Sequence, residues 1–381
     1  MKHLLSPAPA RSAPPPVVVA PGRIDGWLAG AAGALLAFGL LMVIDASFFL
    51  GEHRFGDPYA LPRRQLVAAF LAVAMAAACA RLELRAWRRL SYPALGAVIL
   101  LLVAIFVPGL GVVRGGARRW LTLGGLVFEP SELLKPVLVV ALAHSISRKG
   151  ARIESFVDGV LPHLLVALLA AALLLAQPDF GGAMMTLLLT GVMLFVGGAR
   201  FGHLLAPALA AMPVAAALVL SSSNRLQRIT CFADPFEQAR GCGFQLVQSL
   251  LAFGQGGWSG VGLGSGNQKL FYLPEGHTDF VFALVGEEAG LVGALLVLVG
   301  FGVLAIRGCR VASRLGDGFG RLVAIGLTFA LVAQAAVNIG VVLGLLPTKG
   351  VPLPLMSYGG SSLVSTGIVI GLLLGLSREA R

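Results

Sequence analysis

The chain has 381 residues, of which 57% are hydrophobic and only 12% carry a charge, and its mean hydropathy is +0.87. These values exclude a soluble globular domain of ordinary composition. The net charge of +11 could serve nucleic-acid binding, but no basic stretch with interleaved aromatic residues and no soluble domain is present to support that function. We therefore expect the positive charge to serve membrane topology or an anionic, lipid-linked substrate.

The N-terminal segment 1–23 contains six prolines and no long apolar core. This composition predicts a disordered cytoplasmic tail rather than a cleaved signal peptide. From residue 24 to residue 381 the pattern predicts one all-α, polytopic membrane domain with about ten transmembrane helices. The predicted spans lie near 27–50, 65–80, 92–107, 133–147, 157–176, 182–196, 204–220, 280–306, 322–346 and 361–376.

The longest interruption, 221–279, separates the seventh and eighth predicted spans. Alternating the spans from a cytoplasmic N-terminus leaves more Lys and Arg in the inner loops than in the outer ones. This distribution predicts that both termini are cytoplasmic and that 221–279 is a large extracytoplasmic loop. Many basic residues still remain in the outer loops, where Arg and Lys are suited to bind the phosphates of an anionic headgroup.

Four cysteines occur without a CxxC motif or metal-ligand spacing. Two of them, Cys231 and Cys242, lie in the 221–279 loop with ten residues between them. A disulfide is expected if that loop faces an oxidising compartment, and two free thiols if it does not. The sequence leaves both alternatives open.

The glycine-rich segment 254–266 is unsuited to a regular membrane helix and allows the backbone to approach another group closely. It predicts a ligand-binding loop. Five ionisable residues follow at the mouth of the apolar run that starts at residue 280, namely Lys269, His277, Asp279, Glu287 and Glu288. Charge is costly at the edge of a membrane and is usually functional there, so we expect the functional centre in this region.

A second charged pair, Glu132 and Lys135, follows Pro130 at a predicted helix start. Residues three apart share one helix face, so the two side chains can neutralise each other inside the membrane. The pair is either a purely structural ion pair or part of a substrate site, and the rarity of intramembrane charges favours the second interpretation.

Two further segments break the apolar pattern. Asp179, in the turn 177–181, is either an ordinary turn residue or one that positions a loop or holds a cation. The segment 347–362 contains three prolines and three glycines, which exclude a continuous helix. Irregular backbone at membrane depth is tolerated where it lines a cavity, and the amides of 358–362 are suited to bind an anion.

These motifs, in order, closely resemble those of the SEDS family (shape, elongation, division and sporulation) of peptidoglycan glycosyltransferases. They are GARRW (116–120), PSELLK (130–135), PDFG (178–181), FADP (232–235), the run to YLPEGHTDF (272–280), GEE (286–288) and PLPLMSYGGSS (352–362). The resemblance covers nearly all of 24–377, and 346–350 is more similar to the division branch than to the elongation branch. Three positions depart from the usual pattern: Glu129 replaces a Gln, Asp45 replaces a Ser, and Gly266-Asn267 shifts a small polar residue.

The resemblance implies an enzyme of the bacterial inner membrane, active at the division septum, that polymerises lipid II at the outer leaflet. Its implied partners are a class B penicillin-binding protein, other divisome proteins and membrane lipid, with no nucleic acid. The family's essential acid corresponds to Asp279, whose desolvation should raise its pKa and suit it to act as a general base. His277 is either a residue that orients Asp279 or a neutral loop histidine.

Loss of undecaprenyl pyrophosphate requires cations, and the candidates are Arg118, Arg119, Lys135 and Lys269, with Mg or Mn as a candidate divalent ion. The full set of predicted substrate-binding residues is Arg118, Arg119, Glu132, Lys135, Asp179, Gln268, Lys269, His277, Ser357 and Ser361. Two other functions remain open. A lipid II flippase would need a polar path to both membrane faces, whereas the charged motifs here cluster in the outer half. A scaffold would recruit the crosslinking enzyme without polymerising.

Overall fold

The computed structural model describes residues 22–114, 117–123, 126–273 and 275–380, and the predicted tail lies outside these ranges up to residue 21. The α-helices are α1 (Gly26–Phe55), α2 (Ala60–Arg81), α3 (Leu84–Ala104), α4 (Pro130–Lys149), α5 (Leu161–Ala176), α6 (Phe180–Val196), α7 (Phe201–Leu220), α8 (Ser223–Ala233), α9 (Phe244–Gly256), α10 (Val281–Glu288), α11 (Gly290–Arg314), α12 (Gly318–Val342) and α13 (Gly360–Glu379). A 3-10 helix (Gly150–Glu154) and two π-helical turns (Phe156–Val160 and Gln268–Tyr272) complete the helical segments.

The polytopic all-α fold is confirmed. Within the described residues, eight helical segments are long and apolar enough to cross a bilayer: α1, α2, α3, α5 with its preceding π turn, α7, α11, α12 and α13. The two remaining predicted spans correspond to α6, which is apolar but has only 17 residues, and to α4, whose 20 residues include Glu132 and Lys135. Nine of the ten predicted spans therefore correspond to one helix each.

The eighth predicted span, 280–306, is not one helix. The chain breaks between α10 and α11 at Gly290, where φ is +63°. The glycine-rich loop crosses this break: the amides of Leu291 and Val292 donate to the carbonyls of Gly257 and Trp258, at 2.9 and 3.2 Å. The first amides of a helix lack partners within the helix, and here the loop carbonyls accept from them. The prediction of a continuous span was wrong because this partner is distant in sequence.

A small antiparallel sheet was also not predicted. Its strands are β1 (Gly111–Arg114), β2 (Ala117–Leu123) and β3 (Leu126–Phe128), in the order β1-β2-β3. Successive side chains on a strand point to opposite faces. Arg118 and Arg119 on β2 therefore diverge, with Arg118 exposed and Arg119 partly buried.

The core is centred on α12 and α13, each with 67% of its most apolar stretch buried, whereas none of the residues of α7 is buried. The two chain ends lie on the same side of the bundle. The amide of Gly22 donates to the carbonyl of Arg378 at 2.8 Å, and that of Asp25 to Oγ of Ser377 at 3.1 Å. This arrangement is the one that an even number of spans requires. That this side is cytoplasmic stays a prediction.

The loop 221–279 is largely structured. It contains α8 and α9, and Cys231 and Cys242 form a disulfide with their Cα atoms 5.9 Å apart. Between the two alternatives left open by the sequence, the structure has the disulfide. Helix α9 is attached to the bundle by Ser249, whose hydroxyl donates to the carbonyl of Val342 at 2.7 Å.

Candidate active site

Asp279 lies at the end of the loop 221–279, two residues before α10 begins. Its backbone carbonyl accepts a hydrogen bond from the side-chain amide of Asn338 at 2.7 Å, and the same amide donates to the carbonyl of Val351 at 2.6 Å. Asn338 is buried on α12. One side chain of the core therefore holds together the Asp279 loop and the irregular segment between α12 and α13.

The carboxylate of Asp279 faces that irregular segment at Gly350. A Cβ atom at residue 350 would lie 2.8 Å from Oδ2 of Asp279, so glycine leaves the space that this carboxylate needs. Among the residues that the structure describes, none donates a hydrogen bond to the carboxylate. Burial, and to a smaller extent Glu275, raise the pKa of Asp279 to about 7, although Arg119 and Arg228 act to lower it. A carboxyl group with this pKa can exchange a proton at neutral pH.

Arg119 approaches from β2 and is fixed by the turn that contains Asp179. Its Nε donates to the carbonyl of Gln177 at 3.2 Å, and its guanidinium also bonds the carbonyl of Pro178. Its Nη1 lies 3.6 Å from Oδ1 of Asp179. Asp179 caps α6 by accepting from the amide of Gly182 at 3.0 Å. Asp179 thus positions a loop and pairs with a cation, as one interpretation of its turn predicted.

Lys349 reaches the same turn from the segment between α12 and α13. Its side chain packs on Gly181, where any Cβ atom would overlap it. Burial lowers the pKa of Lys349, Asp179 raises it, and the charges of Lys135 and Arg119 lower it. We call Asp279, Arg119, Arg228, Asp179 and Lys349 the Asp279 pocket.

Neither Lys349 nor Arg228 is among the site residues predicted from the sequence. Lys349 lies between prolines and directly before Gly350 in a segment predicted to line a cavity, and this position was the available signal. Arg228 belongs to a polar loop in which nothing in the sequence distinguishes one arginine from another.

Glu132 and Lys135 form the ion pair that their spacing predicts, with 2.8 Å between Oε2 and Nζ. Lys135 also donates to the side-chain oxygen of Gln334 at 2.6 Å. The amide of Gln334 donates in turn to the carbonyl of Pro352 at 2.9 Å. The pair therefore connects α4 to α12 and to the irregular segment that borders the Asp279 pocket.

Two predicted serines hold backbone in place. Ser361 accepts from the amide of Glu129 through Oγ at 2.9 Å, and Ser357 accepts from the amide of Leu353 at 2.7 Å. Their role in substrate binding stays a prediction. The ring of His277 lies 5.5 Å from the ring of Tyr358, and within the described ranges it makes no hydrogen bond to Asp279. The predicted orienting contact is therefore absent there.

Gln268 and Lys269 lie at the other end of α10. The Lys269 side chain is 3% exposed, and its Nζ lies 2.7 Å from both carboxylate oxygens of Asp45 and 2.9 Å from Oε1 of Glu288. Glu288 also accepts from the amide of Gly264, at 3.0 Å. Glu287 accepts from the amide of Gln268 at 3.2 Å. We call Lys269, Asp45, Glu287 and Glu288 the Lys269 cluster. The structure does not bring it to Asp279.

The chemistry of the available side chains gives no metal site in the described part of the chain, where no three His, Cys, Asp or Glu residues are grouped to hold an ion. A divalent ion stays a prediction, and no step is assigned to it. The pocket instead combines one carboxyl group with cations from separate elements. Such an arrangement can remove a proton and stabilise a nearby anion.

The fold defines a polytopic α-helical membrane protein, and the loops that join its spanning helices bring a carboxyl group of raised pKa together with several cations. A family model described as cell cycle protein, which groups FtsW, RodA and SpoVE, matches residues 27–381. The chain belongs to this family, the SEDS family of peptidoglycan glycosyltransferases. The expectation that its motifs raised is thereby confirmed.

Individual relatives agree with this assignment. The chain is 42% identical over 348 residues to a probable peptidoglycan glycosyltransferase FtsW of Geobacter sulfurreducens, covering 91% of this chain and 93% of the relative. It is 40% identical to stage V sporulation protein E of Bacillus subtilis, covering 91% and 95% of the two chains.

Two solved structures share the fold. A chain from a peptidoglycan synthase complex, described for its coordination of polymerization and crosslinking, has a TM-score of 0.78 at 34% identity and covers 93% of this chain and 98% of that one. The rod shape determining protein RodA of Thermus thermophilus has a TM-score of 0.69 at 32% identity, covering 94% and 97%.

Proposed function

We propose that this protein polymerises lipid II into glycan strands at the outer leaflet during septal cell-wall synthesis, with Asp279 as the general base. The names of the relatives give the reaction class, and the geometry of the Asp279 pocket supports the assignment of the base. In this reaction the ionised carboxylate of Asp279 takes the proton of the acceptor sugar hydroxyl. The hydroxyl oxygen forms a bond to the anomeric carbon of the donor while the bond from that carbon to the pyrophosphate oxygen breaks. A single displacement of this kind inverts the anomeric configuration.

The leaving undecaprenyl pyrophosphate carries the charge that develops in this step. Arg119, Arg228 and Lys349 come from three separate elements and would stabilise it electrostatically. Arg118 and Lys135, predicted for the same task, lie on β2 and α4. We propose that they contact the leaving group less directly than these three cations. Lys269 is already paired with two carboxylates, so we assign the leaving group to the other cations.

One observation supports this proposal above the others. The Asp279 carboxylate is raised in pKa by burial, lies beside cations and accepts no hydrogen bond from any described residue. Asp279 is partly exposed, so this carboxyl group, with its pKa raised towards neutrality, is also open to a ligand. A sugar hydroxyl that donates to this carboxylate would supply the absent hydrogen bond.

We extend the proposal to the partners and the location. One structural relative comes from a peptidoglycan synthase complex that coordinates polymerization and crosslinking. We therefore expect this chain to work beside a class B penicillin-binding protein, with other divisome proteins, in the bacterial cytoplasmic membrane.

The proposal is tested with the full-length chain in liposomes that contain lipid II, with and without the transpeptidase. Asp279→Asn should lower the rate of glycan-chain formation by roughly 10²-fold to 10⁴-fold, the usual contribution of a general base. Glu237→Gln is the matched control, because Glu237 lies in the same loop, is exposed, and should leave the rate unchanged.

Each alternative function has its own outcome in this experiment. Headgroup translocation that survives Asp279→Asn, without polymerisation by the wild type, would support the flippase. Neither activity in the presence of the transpeptidase would support the scaffold. Normal polymerisation by Asp279→Asn would end the assignment of the base.

A further inference from the structure

Helix α8 has very little noncovalent attachment to the bundle. Of its side chains that the structure describes, only Cys231 is buried, at 3% exposure. Arg225 adds a contact between its guanidinium and the ring of Phe180, 5.5 Å from the ring centre. A helix of 11 residues is too short to be stable in water by itself. Its position must therefore come from the few groups that attach it.

The disulfide is the strongest of these attachments. It joins Cys231 of α8 to Cys242, which lies two residues before α9. Helix α9 is firmly packed: Leu246 and Ala252 are at most 1% exposed, and Ser249 bonds the carbonyl of Val342. The disulfide therefore ties a weakly packed helix to a firmly packed one.

Arg228 lies three residues before Cys231, so the two residues share a face of α8. Its Nη1 donates to the carbonyl of Thr348 at 3.3 Å. Thr348 precedes Lys349 and Gly350, and Gly350 borders the carboxylate of Asp279. The positive charge of Arg228 lowers the pKa of Asp279. The face of α8 that the disulfide holds is thus the face that presents a cation to the pocket.

We propose that the Cys231–Cys242 disulfide is a positioning element for polymerisation, which holds Arg228 beside Asp279. This inference rests on the proposed function. The disulfide does not touch the reacting atoms; it acts through Arg228. Losing either the disulfide or the guanidinium removes the same favourable interaction with the ionised carboxylate.

The charged groups around Asp279 decide the direction of the effect. Its own loop contributes Glu275 and His277, β2 contributes Arg119, α8 contributes Arg228, and the segment between α12 and α13 contributes Lys349. Without Arg228 the pKa of Asp279 rises from its value of about 7, because the stabilising charges are fewer while burial and Glu275 are unchanged. A smaller fraction of Asp279 is then ionised at neutral pH, so the rate of polymerisation falls. At high pH the carboxyl group is ionised again, and the rate recovers.

The test measures the pH profile of lipid II polymerisation by the full chain in liposomes, under oxidising conditions. Cys231→Ser combined with Cys242→Ser should lower the rate roughly threefold to tenfold at pH 6.5 and much less at pH 8.5. Arg228→Gln should give the same profile. The triple variant should be no slower than Arg228→Gln alone. Cys309→Ser, which removes an exposed free thiol elsewhere, is the matched control and should behave as the wild type.

Reduction of the folded wild type with a phosphine provides a second test that does not depend on the folding of a variant. Reduction should lower the rate at pH 6.5 in the wild type and in Cys309→Ser, and should leave the double-serine protein unchanged. A wild-type rate and profile after reduction would overturn the inference. An equal loss of rate at every pH would also overturn it, because such a loss indicates general damage to the fold. So would a triple variant whose loss of rate is the product of the losses of the double-serine and Arg228→Gln proteins. Failure of the proposed function looks different, because Asp279→Asn would then match the wild type.

Discussion

Two charged groups of residues lie at the two ends of α10, about 12 Å apart along an eight-residue helix. In the Lys269 cluster, at the C-terminal end of α10, every charged group has a partner. The ammonium of Lys269 pairs with two carboxylates, and Glu287 and Glu288 accept hydrogen bonds from backbone amides of segment 264–267. In the Asp279 pocket, at the N-terminal end of α10, no described residue donates a hydrogen bond to the carboxylate of Asp279.

The two groups differ in whether the protein itself supplies partners for their charges. A buried charge that is paired and hydrogen-bonded is compensated by the protein itself, and removing one partner leaves the other uncompensated. A buried carboxyl group without donors has its pKa raised and remains available to a substrate. Composition and motif mark both regions equally, and only the partners distinguish them.

The largest effect on stability is expected from Lys269→Met. The substitution leaves Asp45 and Glu288 facing each other without the ammonium, and such a change in a buried ion pair costs about 3–5 kcal/mol of unfolding free energy. Thermal unfolding in detergent measures it. Lys149→Met is the matched control, because Lys149 bonds the carbonyl of Asp158 near the surface and should change the stability little. A Lys269→Met protein with wild-type Tm and weakened lipid II binding would instead give Lys269 the substrate role predicted from the sequence.

Arg119→Gln should come next, with kcat/KM reduced by about 10²-fold, or about 2.7 kcal/mol, as for the removal of one donor to a developing anion. Arg118→Gln is the control on the opposite face of β2 and should lose less than about threefold. Rates from lipid II polymerisation, with Tm measured in parallel, separate catalysis from folding. Equal losses for both arginines would show that the pocket acts only through its overall positive field.

Asp279→Asn should stabilise the protein while it lowers the rate of polymerisation. The pKa of Asp279 is about 7 in the folded protein against an ordinary 3.8, so the protonated form is favoured by folding. The stability it contributes is complete below pH 3.8 and is lost as the pH rises to about 7, at about 1.4 kcal/mol per pH unit. Asparagine resembles the protonated form, so we expect a gain of about 1–3 kcal/mol at pH 8 and little gain at pH 4. A lower Tm than that of the wild type at pH 8 would contradict a desolvated carboxylate.

Asp45→Asn should have the smallest effect. Asp45 is 28% exposed and Lys269 keeps Glu288, so the loss should be about 1 kcal/mol. Glu154→Gln, in an exposed pair with Arg200, is the control and should stay within about 0.5 kcal/mol. A cost as large as that of Lys269→Met would mean that Asp45, and not Glu288, is the essential partner.

Much of the fold was predictable because its signals are local. Nine of the ten apolar runs are single helices, and Glu132 and Lys135, three residues apart, form an ion pair at 2.8 Å. The break at Gly290 was missed because it depends on carbonyls of the loop at Gly257 and Trp258, more than thirty residues earlier. The sheet was missed because its strands are short and flanked by glycine.

The site was predictable only in part. The motif identified Asp279, and the burial that the sequence suggested for it raises its pKa in the structure. The sequence grouped Lys269 with Asp279 because the two are close along the chain, yet the partner that neutralises Lys269 is Asp45, 224 residues away. Arg228 reaches the pocket from α8 without a distinguishing local pattern, whereas Lys349 had a local signal in its position between prolines and directly before Gly350.

By itself the sequence determined that this chain is a polytopic membrane protein, and which segments between its apolar runs contain its charged motifs. Those properties follow from hydropathy and residue type, which act over a few neighbouring residues. Only the tertiary structure decided which charges are paired and which are left without donors. Pairing depends on helices that meet across the bundle, and the electrostatic cost of a buried charge is set by those neighbours in space.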